Sequence, residues 1–377
     1  MTMKTKIVLI TALGISVIRL GIAADIEVSP TGDSEVDIAN LHAALASAAP
    51  GDTISLGAGV FDLTPPDKDP ADCSLDVTVP LPDGDSLRFW DAFAKPDACN
   101  PKGDTNSWGP RNMWETFLVD KSLTISGEVG PLGPLSILRV DSSFSAAYHR
   151  IAEEDAPEVD FQRVTAEADS FVFLVGAAGV TFENLEFDGP TNSIQTFWAG
   201  TTIKDCVFRA VGFGPFFFPD ERSIYPHYPT NFDHPLSSYF EGNVFINSQQ
   251  GIHIGGSEII VTGNTFDHYG AFAVYISAYA NLTLLADEGG EGMPLVRAVA
   301  QNNRIENNKI VNGAPGVPRI VISTSWGGPV RGNVVSNNTI KSDSEAVVLS
   351  EGNGYSIDGS TLSDNTVLNN DIRESNQ

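Results

Sequence analysis

The sequence predicts an all-β fold, a right-handed parallel β-helix with an N-terminal capping helix and long loop insertions. Three observations carry that prediction. A short phrase of apolar residues around an asparagine recurs through the second half of the chain, the smallest interval between copies is 21 residues, and the strand-like stretches between copies alternate apolar and polar side chains.

The phrase reads Phe240 to Phe245 around Asn243, Val261 to Phe266 around Asn264, Ile305 to Ile310 around Asn308, Val335 to Ile340 around Asn338, and Leu362 to Val367 around Asn365. Two degenerate copies lie upstream, with Leu185 and Cys206 at the asparagine position. Successive markers from 185 are 21, 37, 21, 44, 30 and 27 residues apart. The shortest interval is about one coil of a three-sided solenoid, and the longer ones are a coil plus an insertion. Each flanking apolar pair reads as a short strand. The asparagine between them fits a tight turn, where it tolerates left-handed backbone angles, and stacked asparagines can bond to the neighbouring coil. The marker is structural and carries no chemistry.

The first strand of each coil lies upstream of its marker, at 171–175, 194–198, 214–218, 251–254, 273–277, 319–323 and 346–350. Alternation turns Ile252, Ile254, Val274 and Ile276 into the bore. His253 and Tyr275 then point outward, side by side on adjacent strands at a spacing of about 4.8 Å. Two connections leaving this sheet are long, 219–238 and 278–297, and they flank the coil that carries His253. Loops on a rigid stack are where such scaffolds place function.

The first long loop supplies Arg222, His227, Tyr228, Asp233 and His234, and four of the six histidines fall in or beside this region, His268 being the fourth. A His and Tyr pair with an Arg can perform base and acid steps on a uronic acid, the cation neutralising the carboxylate so that the C5 proton becomes acidic. His253, Tyr275 and Arg222 are therefore the candidate catalytic residues. His227, Tyr228, Asp233 and His234 are the candidate substrate-binding residues. Against this stands the plainer reading that exposed His and Tyr merely bind sugar hydroxyls or decorate a surface. Phe216 to Phe218 could form an aromatic sugar platform, although at least one of the three belongs to the core. Calcium is the one cofactor suggested, by the acidic loop tip Asp287, Glu288 and Glu291, and an acidic tip is more often simply solvated.

At the N-terminus, Lys4 and Lys6 precede an apolar run from Ile7 to Ile18, followed by the small residues Gly21, Ala23 and Ala24. This is the layout of a secretory signal peptide over residues 1–24, leaving 25–377 as a single β-helix domain, secreted or periplasmic. The chain carries 22 basic and 48 acidic residues, a formal net charge of −26. Such a surface repels polyanions on average, so no nucleic acid partner is expected; it does not exclude an anionic polysaccharide or other glycan, because a local basic patch or bound calcium can reverse the sign within a cleft, and a monomer is expected. No later stretch is apolar enough to be a transmembrane segment. Of three cysteines, Cys73 and Cys99 lie in one non-repetitive excursion, 63–116, and form the plausible disulfide in an oxidising compartment. Cys206, at a core position, reads as a buried free thiol. A second excursion covers 141–169.

The asparagine ladder and coil length resemble the pectate-lyase-like right-handed parallel β-helix proteins over most of residues 171 to 370. The early chain is similar to theirs as well: Leu41 to Leu45, then Ala48 to Ile54, Leu56 to Phe61, and Leu118 to Gly127. In that family the first of these segments is an amphipathic helix covering the open end of the solenoid, and the resemblance implies the same here. It does not reach the chemistry. The Asn-Thr-Asp, Gly-His-Gly and Arg-Ile-Lys set of the polygalacturonases and the Asp-Pro-His-Asp phrase of the mannuronate epimerases are absent. The function expected is thus a secreted protein that binds or modifies polysaccharide, with lyase or epimerase chemistry on uronic acid as its sharper form. The rival is a non-catalytic cell-surface or matrix binding and adhesion protein.

Overall fold

The computed structural model describes residues 23–64, 78–80, 86–88, 117–140, 171–190, 192–196, 199–212, 214–217, 237–278, 299–324, 328–351 and 361–374. Among these, strands from successive coils stack in register into three parallel sheets of ten, nine and eight strands. One coil shows the plan. The chain runs through Ile252–Ile254 in the third sheet, Ile259–Thr262 in the first and Thr265–Tyr269 in the second, then returns to the third at Val274–Ile276. All seven stretches assigned to one sheet by sequence do share the third sheet, which Phe117–Val119 begins and Val347–Ser350 ends.

The bore is filled because each coil contributes the same kind of residue at the same height. Phe187, Phe208, Phe245 and Phe266 form a continuous stack with ring centroids 5.1, 4.8 and 4.9 Å apart, and Ile310 and Ile340 continue the row at full burial. Cys206 is free and buried, and burial pushes its thiol up to about 12, which makes it an inert core residue.

The N-terminal end is closed by helix α1, Ser34–Ser47. Asp33 caps it by accepting from the backbone N–H groups of Glu35 and Val36, and Ile38, Leu41, Ala44 and Leu45 turn onto the first coils. Asp37 is wholly buried and accepts from Thr31 N, Thr31 Oγ1 and Asp62 N at 2.7, 2.7 and 3.0 Å, which ties the helix to the second-sheet strand Gly59–Asp62. At the other end of α1, Lys121 Nζ donates to the carbonyls of Leu45 and Ala48. A cation at a helix C-terminus satisfies carbonyls that have no partner within the helix.

Two expectations about the marker need correction. The left-handed backbone sits one residue earlier than the ladder position, at Asn184, Asp205, Gly242, Gly263, Asn307 and Asn337, all with φ between 53° and 67°. The marker side chain itself is buried and bonds to the next coil: Asn264 Nδ2 donates to Asn308 Oδ1 at 2.9 Å, and Asn308 Nδ2 to Asn338 Oδ1 at 3.0 Å. There are also two ladders. The first runs Asn243, Asn264, Asn308, Asn338 and Asn370, in the turn from the first to the second sheet. Asn365 belongs to the second, with Asn303 and Asn333, in the turn that enters the first sheet.

Several expectations lie outside the described residues: residues 1–22 of the leader-like segment, Cys73 and Cys99, all of 141–169, and nearly all of both long loops. Within the excursion 63–116, Thr78–Pro80 and Ser86–Arg88 pair as an antiparallel hairpin. No helix among the described residues is long and apolar enough to cross a membrane.

Candidate functional site

The register of the third sheet sets His253 directly opposite Tyr275, with the pairs Ile252 to Val274 and Ile254 to Ile276 on either side. Those four aliphatic residues are buried, while His253 and Tyr275 keep partial exposure on the outer face. Their rings stack with centroids 5.0 Å apart and planes 25° from parallel, which is the strand spacing expressed in side chains.

Phe272 completes the group. It stands in the bend before Val274, with its ring 4.9 Å from that of His253 and 5.0 Å from that of Tyr275. Gln250, nearly buried in the turn before Ile252, places its Oε1 3.0 Å from His253 Nε2. An amide oxygen can only accept, so in this arrangement Nε2 carries the proton and Nδ1 the lone pair. Enclosure by two aromatic rings and the amide desolvates the imidazole and pushes it down to about 3. At neutral pH it is uncharged.

The same face holds polar groups with no protein partner. Among the described residues, four buried side-chain polar atoms are unbonded: Ser193 Oγ, Gln195 Oε1, Ser277 Oγ and Tyr269 OH. The first three belong to third-sheet strands or their immediate ends. Gln195 registers with Phe216, and Phe216 with His253, so Gln195 occupies the same row two strands away.

Of the sequence-predicted residues, His253 and Tyr275 are brought together. Arg222, His227, Tyr228, Asp233, His234, Asp287, Glu288 and Glu291 lie outside the described residues. His268 is in the second sheet, exposed and paired with Asp267 at 2.7 Å, and takes no part. Arg319 does not serve as a cation here either. Its buried guanidinium donates to Asp343 Oδ1 at 2.9 Å and to Ala314 O at 2.8 Å, and lies over the ring of Tyr269. Phe272 and Gln250 escaped sequence reasoning. Both stand in turns, where alternation says nothing about direction; the only signal was their position within three residues of the two outward ring residues.

Residues 232–372 match the family model described as right handed beta helix region. The chain is a right-handed parallel β-helix. No curated protein matches it. Among solved structures, this β-helix is similar to an alginate lyase from Paenibacillus sp. str. FPU-7, at 12% identity over 91% of this chain and 98% of the other, TM-score 0.35. It is similar to the A-module of the Azotobacter vinelandii mannuronan C-5 epimerase AlgE6, at 11% identity over 90% and 95%, TM-score 0.37. It is also similar to an endo-xylogalacturonan hydrolase from Aspergillus tubingensis, at 13% identity over 93% and 96%, TM-score 0.32. Likenesses of this size carry no argument about activity or residues.

Proposed function

We propose that this β-helix engages polysaccharide on the outer face of its third sheet, outside the cytoplasm, and that the sharper form of its function is proton abstraction from a uronic acid. The observation that carries the reading is the cluster of His253, Tyr275 and Phe272, half-buried on the outer face and within about one strand spacing of each other. Aromatic rings offer apolar faces to the carbon skeleton of a sugar, and amide, hydroxyl and imidazole groups meet its hydroxyls. Strands repeating along one axis suit an extended polymer better than a compact ligand.

In the catalytic form, unprotonated His253 removes the C5 proton and Tyr275 acts as the acid. If the phenol protonates the departing O4 as the C4–O4 bond breaks, the product carries a C4=C5 double bond; if a proton returns to C5 from the opposite face, the product is the epimer. Burial supplies the neutral imidazole that a base requires, yet a conjugate acid at about 3 makes a weak base. Neutralisation of the substrate carboxylate by a cation is accordingly part of the proposal, with Arg222 in that role. The low basicity equally favours the second reading, a binding protein without turnover.

The test is incubation with a panel of uronate polymers, following unsaturated product by ultraviolet absorbance and epimer content by NMR. His253→Ala and Tyr275→Phe should each lower the rate at least about a hundredfold, the usual weight of a general acid or base. Binding without turnover selects the second reading. Full activity in both variants removes these residues from the mechanism.

A further inference from the structure

The turns that enter the two ring-bearing strands are not alike. Because His253 pairs with Tyr275, Gln250 and Phe272 hold the same place in successive coils, each in the turn before its strand. Both side chains stand against the His253 imidazole, Phe272 with its ring centroid 4.9 Å away and Gln250 with its Oε1 3.0 Å from Nε2. One contact is apolar and the other is a hydrogen bond.

Backbone bonds to the coils on either side hold the Gln250 turn. Gln250 N donates to Gly212 O at 3.0 Å, Gly214 N donates to Gly251 O at 3.0 Å, and Gly251 N donates to Phe272 O at 2.9 Å. Gln250 is only 5% exposed, so water competes poorly for its amide. The acceptor is thus fixed before any ligand arrives.

We infer that Gln250 is a positioning residue for His253: its amide oxygen holds the ring proton at Nε2, fixes the ring orientation, and leaves the basic lone pair on Nδ1. This deepens the polysaccharide reading and rests on it for the nature of the ligand. On that reading, Nδ1 is the atom that accepts the C5 proton or a sugar hydroxyl. Contacts with Phe272 and Tyr275 meet the ring as a whole and do not tell one nitrogen from the other, whereas a hydrogen bond does. The choice of an amide also matters. An uncharged acceptor orders the ring without favouring the imidazolium, while a carboxylate at the same place would favour the charged form and make the ring a stronger base.

The test is long-range proton–nitrogen correlation NMR of the imidazoles in the full 15N-labelled chain, with the His253 signals identified by their loss in His253→Gln. At about pH 7.5 the wild type should show one tautomer, with the proton on Nε2 and Nδ1 bare. Gln250→Leu keeps the bulk but offers no acceptor, and its two nitrogen shifts should average toward each other. Gln250→Glu restores an oxygen and should return the proton to Nε2, while raising the pH at which the ring becomes charged. The wild-type and Gln250→Glu spectra decide the matter even if Gln250→Leu does not fold. On a uronate polymer, Gln250→Leu should lower kcat about tenfold or more with little change in KM, the usual weight of a group that orients a reacting one. The tautomer is read without substrate, so failure of the polysaccharide reading leaves this result intact and the two are told apart. A wild-type ring protonated at Nδ1, a mixture of tautomers in the wild type, a single Nε2–H tautomer that survives Gln250→Leu, or a proton that Gln250→Glu does not return to Nε2 would each overturn the inference.

Discussion

His253 shows how one side chain takes its chemistry from its neighbours. In water an imidazole titrates near 6.5; between Tyr275 and Phe272, bonded to Gln250, it is held neutral down to about 3. The unfolded chain therefore binds a proton at this residue between those two values and the folded chain does not. The linkage sign follows: the contribution of neutral His253 to stability is complete above about 6.5 and is lost as pH falls from there toward 3. Urea unfolding at about pH 7.5 and pH 4.5 should show a larger loss of stability in the wild type than in His253→Gln, which has no proton to gain. Equal losses would mean that the ring titrates as in water. The residue scale is also where the sequence was least legible. Alternation along Ile252, His253 and Ile254 was enough to turn the ring outward, and the same alternation found Tyr275. Nothing in the spacing placed Phe272 or Gln250 beside them, because turn residues follow no period.

Strands and turns were legible wherever a period of two or a repeated phrase existed, as in the third sheet and in α1. The misreading of Asn365 has a physical cause. Leu362 to Val367 and Val335 to Ile340 have the same local pattern, since both turns of the coil put a left-handed residue before a buried asparagine. Only the register of Thr366–Leu368 with Val334–Ser336 shows that Asn370, and not Asn365, continues the ladder of Asn338. The same tight stacking makes certain glycines obligatory. A Cβ on Gly251 would stand 2.0 Å from the carbonyl oxygen of Ala273, which accepts from Ile252 N in the bond joining the His253 coil to the Tyr275 coil. Gly251→Ala must push these two coils apart. The expected cost is about 1–3 kcal/mol, the range of an overpacked core, seen as a lower urea midpoint. It should be accompanied by weaker glycan binding, because the separation of the two rings is the strand spacing. Unchanged stability would show that the coil relaxes without strain.

At the scale of the molecule, charge opposes compaction. Forty-eight acidic residues face 22 basic ones, and many of the described cations are already engaged: Arg139 with Asp188, Lys204 with Glu183, Arg209 with Glu186, Arg304 with Glu306, and Arg319 with Asp343. The first four are surface pairs, which contribute about 0–1 kcal/mol each, whereas Arg319 is buried; the surplus acids repel one another across the whole surface. Added salt weakens both effects, and the sign of the net change tells which is larger. Screening lengthens or shortens interactions through the Debye length, roughly 30 Å at 0.01 M and 8 Å at 0.15 M, so it acts first on the many distant like-charge pairs and least on contacts near 2.8 Å. The melting temperature should therefore rise between these two concentrations of sodium chloride in a dilute sample. A fall would show that the surface ion pairs outweigh the repulsion. The stability of the solenoid would then rest on pairs between neighbouring coils, such as Arg139 with Asp188 and Arg209 with Glu186, more than on relief from its own charge.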